Sequence, residues 1–347
     1  MVNIGIIGIG FMGYTHFEGA RQLDGGRVAA IATRNTSKLA GDWTGIQGNF
    51  GPPAGQVDLS DVRTYTDYRE LLADPEIDLV DICLPNDLHE QVTLDAIAAG
   101  KSVLVEKPIA VELAAADRML QAARQQGTLL MVGHVLPFFP EFRFAVDCVR
   151  SGRYGKLCAA HFRRVITPPN WSDDMSDFRK LGGWGIDLHI HDNHFISLIG
   201  GVPREVFSRG ITEDGFVNHV HTQYIYDDPR LAVSCVSGGL GAAALQFTHG
   251  FELYLDAATI LFNAGTYGGE WIVDRPLTVI TDAVSHPELT GGAEWYSAFT
   301  DELQTAVNAV RENQEPRILS AELARDALRL CHAEARSIES GTSQTLV

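Results

Sequence analysis

The first third of the chain alternates between short apolar runs and longer segments with helical spacing. "VNIGIIGIG" (2–10), "RVAAIAT" (27–33), "IDLVDICLP" (77–85), "KSVLVEKP" (101–108) and "TLLMVGH" (128–134) are near-continuous apolar stretches, the pattern of strands buried in a parallel sheet. Between them, "YTHFEGARQL", "YRELLA", "HEQVTLDAIAAG" and "VELAAADRMLQAARQQG" read as helices, with Gly100 stopping the third. Alternation at this pitch predicts an α/β, doubly wound parallel sheet with ligands at the carboxyl ends of its strands. Residues 44–61, "TGIQGNFGPPAGQVDLSD", are rich in Gly and Pro and read as a loop insertion.

Past residue 134 the pattern changes. "EFRFAVDCVRSGRYG" reads as a helix. "LCAAHFRRVI", "VNHVHTQYIYD", "RLAVSCVSG", "FELYLDAATILFNAG" and "PLTVITDA" are β-rich runs joined by turn signals. "YSAFTDELQTAVNAVRE" and "SAELARDALRLCHAEARSIES" are helical. Two domains are expected, residues 1–134 and an α+β domain over 135–347 with a mainly antiparallel sheet.

Composition narrows the class. The 347 residues are 45% hydrophobic, enough for a substantial core, and 27 basic against 44 acidic residues give a formal charge of −17. That balance disfavours nucleic acid or an anionic membrane as the main partner. Cys83, Cys148, Cys158, Cys235 and Cys331 are odd in number and widely spaced, which argues against a disulfide framework or a cysteine zinc site. The start runs straight into a glycine motif, with no basic leader and no apolar run of membrane-spanning length. A cytoplasmic protein is the expectation.

Gly8, Gly10 and Gly13 form G-x-G-x-x-G between the first strand and the first helix. Gly8 permits a tight turn, Gly10 lets backbone amides reach a pyrophosphate, and Gly13 allows close helix–strand packing. Phe11 and Met12 lie inside this cradle. An NAD-preferring fold places an acid about 20 residues past the last glycine, where this chain has Thr33, Arg34 and, one turn on, Lys38. No carboxylate stands there to repel a 2′-phosphate, so NADP is favoured over NAD. The other strand ends carry Leu84-Pro85-Asn86 with His89 close by, Glu106-Lys107-Pro108, and His134.

"GIDLHIHDNHF" (185–195) concentrates three histidines and two aspartates. As a strand it sets Asp187, His189 and His191 on one face. As a helix, Asp187, His191 and His194 fall within about 60° and His189 lies opposite. Local pattern leaves both open, although no breaker occurs before Gly200-Gly201, which favours one helix from about 183 to 199.

"GIIGIGFMG", "LPNDLHEQVTLDAIAAGKSVLVEKPIA" and "GGWGIDLHIHDNHFISLIGG" occur in that order and resemble the Gfo/Idh/MocA (glucose-fructose oxidoreductase / inositol dehydrogenase) oxidoreductases over nearly the whole chain. The resemblance implies a Rossmann domain, then a domain on a large open sheet through which subunits pair as a homodimer or homotetramer. It also implies a catalytic lysine in E-K-P, here Lys107, and an Asp-x-x-x-His pair, here Asp187 and His191. It favours the helical reading of 183–199. One departure is Leu136-Pro137, where many members carry an arginine.

The expected reaction interconverts a secondary alcohol and a ketone on a sugar, cyclitol or related polyol. His191 takes the hydroxyl proton, Lys107 stabilises the developing alkoxide, and Asp187 contacts substrate. Asn86, Pro85, Leu84 and His89 are expected along the nicotinamide ribose. Glu106, placed at the cofactor end of its strand, is expected to support the lysine. His134, Arg163, Asn170 and Trp171 are expected in the substrate pocket. No metal is expected, since the Lys107 cation would share the pocket with Asp187, His191 and His194. His189 is expected to be structural. Two other readings are a non-catalytic nucleotide-sensing regulator and a glycosidase that uses NAD transiently.

Overall fold

The computed structural model describes residues 1–48, 50–168 and 178–346. Asn170 and Trp171 lie outside these residues. Six strands, β1 (Val2–Ile7), β2 (Gly26–Ala32), β3 (Arg63–Tyr65), β4 (Leu79–Ile82), β5 (Ser102–Glu106) and β6 (Leu130–Gly133), form one parallel sheet in the order β3-β2-β1-β4-β5-β6. The chain winds outward from β1 in both directions, so the turns after β1 and β4 lie side by side where the order reverses. Helices α1 (Phe11–Ala20), α2 (Thr36–Leu39), α3 (Tyr68–Ala73), α4 (His89–Ala98) and α5 (Leu113–Gln126) alternate with these strands. Ile4, Ile31, Leu79, Leu104 and Met131 are fully buried in the sheet, as the apolar runs require.

Helices α6 (Pro140–Ser151), α7 (Phe178–Leu181), α8 (Trp184–Asp187) and α9 (Ile190–Gly200) belong to the later part, with β7 (Leu157–Ile166) among them. Then come β8 (Glu205–Glu213), β9 (Phe216–Ile225), β10 (Ala232–Gly238), β11 (Leu245–Leu255), β12 (Ala258–Tyr267), β13 (Glu270–Ile280) and β14 (Val284–Ser285). The chain ends with α10 (Ser297–Glu312), α11 (Ala321–Ser340) and β15 (Gln344–Thr345). The nine-stranded sheet runs β14-β13-β12-β11-β7-β10-β9-β8-β15, with β7 and β10 parallel and every other pair antiparallel. Residues 251–265, read as one run, are a hairpin that turns at Asp256-Ala257, where the Asp256 carboxylate accepts the Lys156 amide at 2.7 Å. Phe142, Phe162, Phe195 and Phe251 pack edge to face under this sheet.

The chain divides into two compact units, 1–139 with 291–325, and 140–290 with 326–347. This differs from a single linear boundary because α10 returns to the first unit. There the Thr300 hydroxyl donates to the Gly19 carbonyl of α1 at 3.0 Å, and Gln304 brackets the backbone of Asp24 at 2.7 and 3.0 Å.

Among its described residues the 44–61 insertion has neither helix nor strand of its own apart from an isolated bridge between Asp42 and Gln56 at its base. Trp43 anchors it. This side chain is fully buried, meets Phe17 of α1 edge-on at 4.9 Å, and donates its indole N–H to the Lys38 carbonyl at 2.8 Å. Further along, Gly48 lies against the Phe11 ring so closely that a Cβ would come within 2.0 Å of it. The insertion thus braces both the glycine cradle and the turn after β2. Trp43→Ala should lower stability by about 3–5 kcal/mol, the usual cost of emptying a buried aromatic site. Trp43→Phe should lose less. Urea unfolding followed by circular dichroism measures both, and an unchanged midpoint for Trp43→Ala would show that the insertion carries no such load.

Candidate active site

The three glycines of the cradle are required for three different reasons. Gly8 has φ +97°, and a Cβ there would lie 2.6 Å from the Cys83 carbonyl oxygen. Gly13 is closer still, since its Cβ would meet the Gly8 carbonyl oxygen at 2.1 Å. Helix α1 therefore rests directly on the turn after β1. At Gly10, the N-cap of α1, no atom of the described residues beyond its own neighbours and helix lies within 4 Å of a Cβ position. Nothing among the described residues explains the small residue at 10, whereas close backbone approach by a phosphate group does. The residues fit a dinucleotide.

Past β2, Arg34 is exposed and Asn35 caps α2 by accepting the Ser37 and Lys38 amides. Lys38 turns back, its ammonium donating to the Ile9 carbonyl at 2.6 Å, and partial burial lowers its pKa. No ion pair holds either cation among the described residues. Thr33 is half-buried, its amide paired with the Tyr65 carbonyl.

Leu84, Pro85 and Asn86 form the turn after β4, leading into α4. His89 corrects an expectation. It is fully buried, with one ring nitrogen 2.8 Å from the Pro108 carbonyl oxygen and the other 2.9 Å from that of Leu84. Burial outweighs the two carbonyl contacts and lowers its pKa. It clamps the turns after β4 and β5 together and presents neither nitrogen to a cofactor.

Glu106 likewise turns inward. Its carboxylate accepts the Lys107 amide at 3.0 Å and sits 3.1 Å from Nε2 of His16, so the supporting role fits and direct cofactor contact does not. His16, on α1, places Nδ1 2.9 Å from the Asp81 carboxylate of β4. Burial alone would drive His16 neutral, but Asp81, aided by Cys83 at 3.6 Å, outweighs burial and raises its pKa well above 6.5. Glu302 of α10 completes this buried cluster, 3.9 Å from Nε2 of His16. Burial, then the neighbouring Glu106 and Asp81, raise its pKa well above the usual carboxylate range, although His16 opposes this. Sequence reading missed these partners, yet Asp81 inside the apolar run "LVDIC" was a signal that something buried must meet it. Lys107, one residue past β5, is partly exposed, and His134 past β6 is nearly fully buried.

In the second unit the expected helix over 183–199 is broken. The His189 amide reaches back five residues to the Trp184 carbonyl at 3.0 Å, and a turn at Leu188-His189 separates α8 from α9. Asp187 ends α8 and His191 is the second residue of α9. Every residue from Leu181 to Ser197 is buried except His191. The neighbours of His191 are anchored. Nε2 of His189 lies 3.1 Å from the Glu334 carboxylate, which also accepts from Asn193 at 2.8 Å, and the Tyr224 hydroxyl donates to Asn193 at 2.6 Å. Burial would lower the pKa of His189, but Glu334 reverses this and raises it. The structural role expected for His189 matches this placement.

Arg163 is a second correction. Strand alternation places it on the sheet face away from α9, exposed and bonded to Asn263. Arg164 takes the inner face and holds Asp192 of α9 through two bonds at 3.0 and 3.2 Å, both residues buried. In "HFRRVI" the buried Phe162 and Ile166 share the parity of Arg164, so period 2 marked the inward arginine in advance.

A parallel sheet of this strand order with such a cradle defines a dinucleotide-binding protein, joined here to a second unit on an antiparallel sheet. Residues 2–134 match the oxidoreductase family Gfo/Idh/MocA, NAD-binding Rossmann fold. The chain is 24% identical to the myo-inositol 2-dehydrogenase of Thermotoga maritima, aligned over 99% of this chain and 98% of that protein. It is 33% identical to the 1,5-anhydro-D-fructose reductase of Ensifer adhaerens, over 54% of this chain and about half (53%) of that protein. The aldose-aldose oxidoreductase of Caulobacter crescentus, solved with glycerol, shares the fold with a TM-score of 0.80 at 19% identity, each chain covered to 99%. Among the described residues no helix is long and apolar enough to cross a membrane.

The buried charges set a pH dependence of stability. His16 and His189 have raised pKa values, so their contribution is complete below pH 6.5 and is lost as pH rises through the folded values. Glu302 acts in the same sense, because the folded state keeps a proton that the unfolded chain releases near pH 4.5. Stability should therefore fall from pH 6 to 9. Glu302→Gln should flatten the slope, by up to about 1.4 kcal/mol per pH unit where one proton is removed. Urea unfolding at pH 6, 7.5 and 9 tests this, and a slope unchanged in Glu302→Gln would mean the carboxyl is not held protonated.

Proposed function

We propose that the protein is a nicotinamide-dependent dehydrogenase or reductase that interconverts a secondary alcohol and a ketone on a sugar, cyclitol or related polyol. The glycine cradle carries this reading, above all Gly10, whose missing side chain faces no protein atom among the described residues. The substrate class is supported by the names of the relatives, two of which act on an inositol and an anhydro-sugar.

Gly8, Gly10 and Gly13, with the amides of Phe11 and Met12, hold the pyrophosphate at the N-terminus of α1, and Leu84, Pro85 and Asn86 border the ribose. When bound, the nicotinamide supplies the hydride chemistry. His191 takes or returns the hydroxyl proton, a role suited to the one side chain of its run that is not buried. Lys107 stabilises negative charge on the same oxygen. Asp187, one step before the break in the helix, contacts substrate hydroxyls, and His134 borders the substrate. Arg34 and Lys38 meet a 2′-phosphate, which makes NADP the preferred nucleotide. Copies associate through the nine-stranded sheet, where β13 exposes Trp271, Ile272 and Val273.

Lys107→Ala and His191→Ala should each lower kcat by about 10²–10⁴, while nucleotide affinity stays within a few-fold. Steady-state kinetics on a polyol panel at 340 nm, with nucleotide titration alongside, checks both. Near-native turnover in the two variants would place the chemistry elsewhere. NADP should bind several-fold tighter than NAD, and Arg34→Ala should remove most of the difference, since a charge-assisted contact contributes about 1.5–3 kcal/mol. Equal affinities in the native protein would rule out a 2′-phosphate site.

A further inference from the structure

The buried cluster behind Lys107 lies wholly in the first unit, and the chemistry proposed above makes no use of it. The His16 ring is faced by Asp81 of β4, Cys83 just past it, Glu106 at the end of β5, and Glu302 and Phe299 of α10. Asp81 stands 2.9 Å from Nδ1 and Glu106 stands 3.1 Å from Nε2. The Asp81 contact at Nδ1 is a hydrogen bond, whereas Nε2 faces the Glu106 oxygen outside hydrogen-bond geometry, as an ion-pair contact that only a protonated ring makes favourable. The second oxygen of Glu106 accepts the Lys107 amide at 3.0 Å. Asp81, His16, Glu106 and the backbone of Lys107 thus form one continuous chain of contacts. Glu302 stands apart from it, since neither of its oxygens has a hydrogen-bond partner among the described residues.

We propose that His16 is a positioning residue for Lys107: its imidazolium, clamped by Asp81, pins the Glu106 carboxylate, which holds the Lys107 amide and so the direction of the lysine side chain. The inference rests on the reading of Lys107 as the catalytic cation. It assigns Glu106 and Asp81 a purpose that burial alone does not explain. Two carboxylates and a neutral acid around one ring are costly to bury, and an apolar core would serve packing equally well. The device also makes the site depend on a proton that is far from solvent. With His16 removed, Glu106 loses its only cation among these groups and is free to turn, which loosens its hold on the Lys107 amide.

The test combines kinetics with spectroscopy. His16→Gln should lower kcat by about 10–100-fold with substrate KM and nucleotide affinity within three-fold. Glu106→Gln should show a similar loss, and the double variant no greater loss than either alone. Additive losses, or a loss carried by KM rather than kcat, overturn the proposal, because the two side chains would then not act on Lys107 through one another. Independently of activity, and even should His16→Gln fail to fold, ¹⁵N-histidine labelling of the native protein reads the ring directly. Both nitrogens of His16, assigned through Asp81→Asn, should carry protons at pH 7. A neutral tautomer overturns the proposal, as does one equivalent of metal that co-purifies and is lost in Glu302→Gln. Native turnover in Lys107→Ala would instead remove the catalytic reading itself, a failure kept separate by the nitrogen spectrum.

Discussion

Helix α1 can occupy its place only because Gly13 has no side chain. With a Cβ 2.1 Å from the Gly8 carbonyl oxygen, the helix would be lifted off the turn after β1. Two things follow from that contact. The amides at the start of α1 are brought to the switch point of the sheet, where a phosphate can meet them. One turn further along, His16 is lowered between β4 and β5 far enough to touch Asp81 and Glu106. The nucleotide cradle and the buried charge cluster are therefore consequences of the same close approach. α10 holds the helix down from the other side, through Thr300 at Gly19.

The second unit solves a similar problem by other means. His191 sits at the start of α9, just past a turn that interrupts the helix, where a side chain would ordinarily have latitude. Its neighbours remove that latitude. Asp192 is held by Arg164, Asn193 by Glu334 and Tyr224, and His189 by Glu334. The anchoring groups come from β7, β9 and α11, so the direction of His191 is fixed by the sheet and the last helix together. Removing one member of a buried ion pair such as Arg164–Asp192 leaves an uncompensated charge, which typically costs 3–5 kcal/mol. The arrangement is thus resistant to drift in any single member.

Much of this was legible in the residues. The apolar runs marked the strands of the parallel sheet, and the three glycines stood where their separate roles require them. What local pattern missed were relations between distant segments. Nothing near Tyr296–Glu312 says that α10 returns to pack on α1, because an amphipathic helix states only that one face is buried. His89 looked like a cofactor neighbour since it follows the turn after β4, but its ring was needed to tie that turn to Pro108. The break at Leu188-His189 was invisible because no Gly or Pro marks it. It arises where His189 is drawn away toward Glu334, 145 residues later in the chain. Arg163 and Arg164 differ in the other way, for there the parity of Phe162 and Ile166 was sufficient and simply outweighed the wish for an exposed cation near substrate.

Both units place a buried histidine of raised pKa close in sequence or contact to a group assigned to the proposed chemistry. His16 reaches the Lys107 amide through Glu106, and His189 lies two residues before His191. In each case burial would lower the pKa and a carboxylate raises it, Asp81 in one and Glu334 in the other. Such pairs add little net stability compared with apolar replacements. Their advantage is directional. A hydrophobic contact tolerates rotation, whereas a hydrogen-bonded ion pair at about 3 Å fixes the orientation of both partners. A group proposed for acid–base chemistry gains more from orientation than from a few further kcal/mol of packing. On this reading His16 and His189 hold the groups of the proposed chemistry in their working directions.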